Sequence, residues 1–597
     1  DLADFISSVL DPSFGLVRYA ESMASAYRDF SRVKPRADNY IMAEFYRPFL
    51  DEWRDRDQDR PQGTMVLAVT IPFAGCLAGA LTCAAWAKER FGDTCVVIAG
   101  GGYVNTELRF LEDETFFDYF DYLSFDRGYA SLAAILKKLG ALDAPSAPEE
   151  PVLYKTLYRS PRDRRIIGSP DSPCTEDRET VRTVFPDYGE VDFGRYLYPV
   201  DEVNPMHRLW SDGHWLKAYL AHGCYWHACA FCDTTLDYIR GFEPVETGAL
   251  FRHLLEQAEK TQVRAVHLVD EAAPPASLVQ LAELNMQAGL PLVFWGNIRF
   301  EKTFTPDMAA FLAAGGLLGV SGGIEVASEG GFRRVRKGLS LQEAVYAAAA
   351  FKEAGILTHA YLIYGYWDET PAEIMDSAEI LRQLFAEGLL DSAFWHQFIL
   401  TCHSPLYAEW QAGRHPELRA SAGDKNAGEG KIFALNDLSF AGEEQFGKFA
   451  EPLDKLLAAW MAGDTALPVE RAFPFPVPSP SIPAGFAAGL LDAYARDRDQ
   501  ERGVPPQGGR ACFLGSRPLV KAVPRGASLF WRWRLEDQRL WLPAAAAEKA
   551  RDLLAEAARP GGLKAVFLYK ELERLLGSGP ARGVWQKMRS RGLVIIP

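Results

Sequence analysis

Gly223-Cys-Tyr-Trp-His-Ala-Cys-Ala-Phe-Cys-Asp233 stands directly after Trp215–Ala221, a run that reads as a β-strand. Three cysteines within nine residues, Cys224, Cys229 and Cys232, sit on a loop at a strand end, where their thiolates can face one point and bind a soft metal centre. Three protein ligands, where a closed structural site uses four, leave one position open for a substrate or cofactor. A zinc site completed by His222 or His227 is the other reading of the same residues.

The strand before the loop is the first of six. Further strands are read at Arg264–Val269, Pro291–Trp295, Leu317–Ser321, Leu357–Ile363 and Ser392–Phe398, with helical stretches between them. Thr305-Pro306 gives an N-cap with proline at the first helical position, and Thr370-Pro-Ala-Glu373 gives a capping box. Six strand–helix units over roughly 185 residues predict a partial (β/α)6 barrel of the TIM type. Polar residues recur where these strands end: Asp270 and Glu271, Asn297 and Arg299, His396 and Gln397. Barrels place their chemistry at the carboxyl ends of strands.

A second α/β pattern precedes this one. Met65-Val-Leu-Ala-Val-Thr70 and Thr94-Cys-Val-Val-Ile-Ala99 are continuous apolar runs, as buried parallel strands are, and Tyr122-Leu-Ser-Phe125 is a third. Helices between them indicate a doubly wound sheet with ligands at the carboxyl ends of its strands. The chain therefore divides into a helical segment (1–60), a first sheet domain (61–145), a Pro-, Asp- and Arg-rich connector (146–210), the barrel (211–415) and a carboxyl-terminal helical and α+β region (416–597). Within it, 416–500 reads as a helical extension plus linker, and about 505–597, with many aromatics including Phe530 and Trp541, reads as a small α+β or winged-helix-like module.

The net charge of −15 disfavours a nucleic-acid partner. No apolar run reaches the ~20 residues needed to cross a bilayer, so no membrane partner is expected. The opening Asp1-Leu-Ala-Asp-Phe-Ile has no basic region and no apolar core of a secretory signal. Nine cysteines, odd in number and clustered once, fit a reducing cytoplasm with one metal site.

The cysteine loop resembles that of the radical S-adenosylmethionine (SAM) superfamily. Its spacing is C-x4-C-x2-C, where the family's common form is C-x3-C-x2-C, and one extra residue adds at most about 3.5 Å of chain. The resemblance implies a 4Fe-4S cluster on Cys224, Cys229 and Cys232, with SAM on the open iron and Phe231 beside the adenine. Gly322-Gly-Ile-Glu-Val-Ala-Ser-Glu329 resembles the family segment that meets SAM, which implies cofactor contacts at Gly322, Gly323, Glu325 and Ser328. Tyr361-Leu-Ile-Tyr-Gly-Tyr366 resembles the segment lining the adenine pocket, with Tyr364 as a cofactor contact. Tyr366, His396 and Arg299 are then expected at the substrate.

Residues 60–140 resemble the Rossmann-like cobalamin-binding domain that precedes the barrel in one radical SAM subgroup. The resemblance rests on Thr70 at a strand end with Phe73 in the following turn, on Gly100-Gly101-Gly102-Tyr103, and on Arg127-Gly128. No Asp-x-His-x-x-Gly occurs, so cobalamin is expected without histidine ligation. The implied activity is a cobalamin-dependent methyltransferase acting on an unactivated carbon of a small-molecule or peptide substrate, through a 5′-deoxyadenosyl radical and methylcobalamin. Its reducing electron would come from a donor such as flavodoxin or ferredoxin. A non-methylating rearrangement or a polar methyl transfer is the nearest alternative, and a zinc-stapled binding protein is the alternative outside enzymes.

Overall fold

The computed structural model describes residues 2–12, 29–34, 39–56, 63–140, 153–172, 175–196, 213–421, 431–524 and 526–597. The chain forms two compact units. The first comprises Asp1–Arg182, Ala230–Arg240 and Ile399–Glu443; the second comprises Thr183–Cys229, Gly241–Phe398 and Glu444–Pro597. Among the described residues no helix is long and apolar enough to cross a membrane.

The first unit holds a five-stranded sheet in sequential order. Strands β1 (Met65–Thr70), β2 (Cys95–Gly100) and β3 (Tyr122–Ser124) run parallel, as their apolar runs predict. The helix Leu77–Phe91 links the first two, because a parallel pair needs a crossover. Val97, Leu81, Trp86, Phe116 and Phe120 form the core beneath the sheet. Two features differ from the sequence reading. Strand β4 (Thr156–Arg159) adds antiparallel to β3 and β5 (Ile166–Ser169) adds antiparallel to β4, so the stretch read as connector contributes a hairpin to this sheet. Among the described residues β1 is an edge strand, so this sheet has no reversal of strand order of the kind a doubly wound fold uses as its binding crevice.

The second unit is built on six parallel strands, all at predicted positions. They are β6 (Leu216–Ala218), β9 (Ala265–Leu268), β10 (Val293–Ile298), β11 (Leu317–Glu325), β12 (Leu357–Tyr364) and β13 (Ser392–Gln397), hydrogen-bonded in chain order. Both predicted helix starts form. Thr305 caps the helix Pro306–Ala314, and Thr370 with Glu373 closes a capping box at Pro371–Ala386. A third box, Ser340 with Glu343, starts Leu341–Ala354.

The strand expected over Trp215–Ala221 is broken in two. After Ala218 the chain leaves the parallel sheet, and β7 (Ala221–Gly223) pairs antiparallel with β8 (Phe242–Pro244). The cause is Asp270. Its buried carboxylate accepts the Ala221 amide at 2.7 Å and the Leu220 amide at 3.0 Å, turning the backbone out of the ladder. The cysteine loop thus rises from the base of a two-stranded ribbon.

Short strands β14 (Leu400–Thr401), β15 (Ala420–Ser421) and β16 (Asp437–Phe440) form a small sheet of the first unit. The carboxyl-terminal region holds both strands and helices. It has a sheet of β18 (Leu519–Val523), β19 (Gly526–Trp533) and β20 (Glu536–Leu542), followed by helices Ala544–Ala557, Ala565–Leu576 and Ser578–Arg589. A second sheet joins β17 (Arg510–Phe513) to β21 (Leu563–Lys564) and β22 (Leu593–Ile596). The module is fixed to the helices that flank the six-stranded sheet. Arg589 donates to the buried Asp307 at 2.6 Å, and Arg510 grips Glu283 through both guanidinium nitrogens at 3.0 and 3.1 Å.

Candidate active site

The loop after β7 is shaped by its aromatic and histidine residues. Gly223 takes φ +76°, a left-handed turn that starts the loop. His227 also has positive φ, +36°, and its Nδ1 lies 3.0 Å from the Cys224 carbonyl. Trp226 docks the loop: its indole N–H donates to the Arg336 carbonyl at 3.0 Å. The ring lies so close to Gly338 that a Cβ there would stand 1.9 Å from it. On the other side the Arg299 guanidinium sits 4.6 Å from the Trp226 ring centre and donates to the Lys337 carbonyl at 2.7 Å.

Behind the loop lies a buried ion pair. Lys337 Nζ and Glu325 Oε1 are 2.7 Å apart, and both side chains are nearly inaccessible. Glu325 sits at φ +59° where the β11–β12 register slips, and Gly323 is what makes room for it, because a Cβ there would overlap the carboxylate. Burial raises the Cys229 thiol, while Lys337 and Arg299 draw it back toward thiolate. Burial opposes the charge on Lys337, but Glu325 and Cys229 favour it, and its pKa is raised. Buried thiol sulfur beside two cations suits an anionic metal–thiolate centre, whose charge the surrounding groups must balance.

Cys232 belongs to the first unit and is half-buried. Its chain is pinned on the segment after β13. Thr235 donates to the His403 carbonyl at 2.6 Å, the Leu406 amide donates to the Ala230 carbonyl at 3.0 Å, and the Thr401 hydroxyl donates to Asp233. Asp237 then meets Lys155 at 2.6 Å and Arg127 at 3.6 Å. Among the described residues no three His, Cys, Asp or Glu side chains converge on one point as ligands of a single ion would. A four-iron cluster takes one thiolate per iron, so its ligands stand on different metal atoms.

The structure sorts the sequence-predicted residues. Arg299, Gly323 and Glu325 gather with Cys229; Gly322 lies against the Ile298 carbonyl, which leaves no space for a Cβ. His396 is exposed at the end of β13, edge-on to Phe394 at 4.4 Å. Phe231 is half-buried beside Cys232. Several assignments need correction. Tyr366 is fully buried against Phe398, 4.6 Å between ring centres, so it is a packing residue rather than a substrate contact. Tyr364 is likewise core, packed edge-on to Trp395 at 6.2 Å. The Ser328 hydroxyl caps the helix Glu329–Arg334 by accepting the Gly331 amide at 3.0 Å. Asp270 is a backbone anchor, as described above.

At the first sheet, Thr70 is exposed and Phe73 is 50% exposed, so both can meet a ligand. The glycine turn packs on its own chain. A Cβ on Gly101 would stand 2.8 Å from the Ile71 carbonyl and one on Gly102 2.7 Å from that of Pro72, so these glycines let two turns of the chain touch. Gly100 meets the Ser124 carbonyl in the same way at 3.3 Å. Tyr103 is 2% exposed and lies in the core. Arg127 is buried on Asp237, and Gly128, at φ +76°, opens the helix Tyr129–Lys138.

Sequence reasoning missed Lys337, although it follows the Glu325 segment at the end of the basic run Arg333-Arg-Val-Arg-Lys337. It also missed a polar pair on the face of the six-stranded sheet. Lys217 and His267 are cross-strand neighbours whose nitrogens lie 2.7 Å apart, with the His267 ring stacked on Trp295 at 4.7 Å. Burial lowers Lys217 to about 8 and His267 to about 3. The signal was available, since both interrupt runs that otherwise read as apolar strands.

No family model matches the sequence, and no curated protein does. Solved structures do. The structural neighbours are radical SAM enzymes. The radical SAM methyltransferase TsrM from Kitasatospora setae, with cobalamin and a 4Fe-4S cluster bound, is 14% identical with TM-score 0.46, covering 77% of this chain and 92% of that one. The cobalamin-dependent SAM radical enzyme OxsB, with aqua-cobalamin and SAM bound, is 13% identical with TM-score 0.49, covering 77% of this chain and 65% of its own. Coproporphyrinogen III oxidase from Escherichia coli, a radical SAM enzyme, is 13% identical with TM-score 0.26, covering 51% and 66%.

Proposed function

We propose that this chain is a cobalamin-dependent radical SAM methyltransferase of the reducing cytoplasm, acting on an unactivated carbon of a small-molecule or peptide substrate. The observation that carries this reading is the cysteine loop, set on the β7–β8 ribbon that follows the first of six parallel strands and backed by Lys337 and Arg299 at Cys229. Cys224, Cys229 and Cys232 would hold the 4Fe-4S cluster, and the six strand–helix units would form the partial barrel around it. When bound, the cluster with SAM supplies a radical able to remove hydrogen from an unactivated carbon, and cobalamin supplies a transferable methyl group.

The chain's own residues do the rest. Lys337 and Arg299 place positive charge against the thiolate of Cys229, while Glu325 keeps Lys337 protonated and fixed. Trp226 and the left-handed turn at His227 set the loop's path. Phe231 would lie beside SAM, and His396 would face substrate from the end of β13. Thr70 and Phe73 are the side chains that the first sheet offers to cobalamin. Arg333 and Arg336, exposed near the loop around an open cavity of about 550 Å³ that Trp226 and Ala228 also line, suit the approach of an acidic donor such as flavodoxin or ferredoxin.

The test is anaerobic purification with cobalamin supplied, followed by metal analysis and turnover of labelled SAM. The expected result is about four irons with matching sulfide per chain, lost in Cys224→Ala, Cys229→Ala and Cys232→Ala. Release of 5′-deoxyadenosine together with S-adenosylhomocysteine supports methyl transfer, and either product alone points to rearrangement or polar methylation instead. One zinc per chain without sulfide would overturn the proposal.

A further inference from the structure

The charge of this chain is unevenly shared. Residues 505–597 hold 17 Lys and Arg against 7 Asp and Glu, a net of +10, while the whole chain carries −15, so the remainder stands at −25. A module of that sign attracts acidic partners and repels basic ones within a Debye length, about 8 Å at physiological ionic strength. The module folds around its own core, in which Leu529, Trp531 and Leu540 line one face of the sheet β18–β19–β20 and Leu568 and Trp585 come from the helices.

The opposite face is exposed along its outer strands, while Ser528 at its centre is buried. Cross-strand register places Leu519, Phe530 and Arg539 in one row and Lys521, Ser528 and Trp541 in the next. Leu519 is 63% exposed and Trp541 57%, with Lys521 and Arg539 exposed between them. Large apolar side chains interleaved with cations on one exposed face mark a binding surface rather than a solvated one.

The edges of the sheet say what form the partner takes. Among the described residues β18 and β20 each pair with β19 alone. The outer edge of β20 is partly occupied, because its Arg539 carbonyl accepts from the Arg591 guanidinium at 3.1 Å. That carbonyl points away from β19, so the alternation of an antiparallel ladder turns the amides of Val520 and Ala522 outward from β18. An extended chain can add to such an edge, main-chain bonds giving affinity and side-chain contacts giving selectivity.

We propose that β18 docks an extended acidic segment of a polypeptide substrate, which adds a strand at Val520 and Ala522, sets its carboxylates on Lys521, and rests apolar side chains on Leu519. The word substrate rests on the enzyme reading above; the docking does not. A nucleic acid fits this face less well. Glu536 and Asp537 sit together at one end of β20, and Asp537 engages Arg532 at 3.1 Å, so carboxylates stand where a phosphate backbone would run.

Fluorescence anisotropy on the full chain tests this. The probe is a fluorescein-labelled peptide of about twelve residues with the repeat Glu-Thr-Leu-Thr, which puts Glu and Leu in turn on one face of an added strand, set against its Lys-for-Glu counterpart and a labelled oligothymidylate of similar length. Saturable binding of the acidic peptide alone is expected. It should weaken roughly tenfold in Lys521→Glu and about fivefold in Ala522→Pro, which removes an outward amide and no internal ladder bond. Both sites are exposed, so thermal melting by circular dichroism should stay unchanged. Equal binding of the two peptides, tighter binding of the oligonucleotide, or no loss in Ala522→Pro and Leu519→Asp together would overturn the proposal. Repeating the titration with Cys229→Ala separates the two readings, because peptide binding that survives loss of iron stands whatever the cluster assay gives.

Discussion

At the scale of single residues, the pair Lys337–Glu325 holds more of the site than any motif letter announces. Both charges are buried and satisfied by each other, so removing one strands the other in a poorly solvated place. Lys337→Met should therefore destabilise the second unit by about 3–5 kcal/mol and lower iron per chain, while the double variant Lys337→Met with Glu325→Gln recovers most of the stability. Urea unfolding beside iron analysis reads both, and a double variant no better than the single one would refute the account. Gly338→Ala is a separate case. Its new methyl would enter the Trp226 ring at a φ of +68°, so the loop must move. Iron content should fall while far-ultraviolet circular dichroism stays native. Residue identity carries the proposal at Cys224, Cys229 and Cys232, where thiol chemistry and spacing are all that the reading needs. It misled where direction matters: Tyr366 stands at a strand end, as a substrate contact would, but its ring turns inward onto Phe398. Gly101 and Gly102 show the same limit. Glycine marks a close approach, and the sequence does not say whether the approaching atom is a ligand or the Ile71 and Pro72 carbonyls.

At the scale of elements, the six parallel strands were legible because each is a short apolar run bounded by turn and capping residues. The break in the first was not, because it is made by a side chain fifty positions away: Asp270 takes the Leu220 and Ala221 amides. That carboxyl has a titration consequence. Burial pushes it from the usual 3.8 to about 7, with the two amides acting in the opposite direction. The folded chain thus keeps a proton that the unfolded chain releases between pH 3.8 and about 7, so this group lowers stability as pH rises through that window and contributes no slope below it. Glu369, buried under the Gly365 and Tyr366 amides and also raised to about 7, acts in the same sense. Asp270→Asn keeps an acceptor for the backbone and removes one of the two titrations. Denaturant midpoints between pH 4.5 and 7.5 should fall less steeply with rising pH in Asp270→Asn than in the parent chain. Parallel slopes would mean that Asp270 stays ionised in the fold.

At the scale of the whole molecule, opposite charges are sorted into different parts of the chain, and the basic module is held by a few strong contacts. The composition hid this, because a net of −15 averages a +10 module with a −25 remainder. The attachment is concentrated at Asp307, in the first turn of the helix Pro306–Ala314. Its carboxylate accepts from Arg589 at 2.6 Å and from the Ile595 amide at 2.7 Å, and both charged side chains are buried. Burial raises the Asp307 pKa and Arg589 opposes the rise, so without the guanidinium the carboxylate is left with one amide. Arg589→Met should cost about 3–5 kcal/mol, by the logic of an uncompensated buried charge. The double variant with Asp307→Asn should recover most of it, since an amide oxygen still serves Ile595. Because the strain falls on the attachment rather than on the module's own core of Leu529, Trp531 and Trp585, the first event should be loosening of residues 503–509. Limited proteolysis should then release a carboxyl-terminal fragment from Arg589→Met well before the parent chain is cut. Uniform digestion of both proteins at the same rate would show that Asp307 and Arg589 do not hold the module.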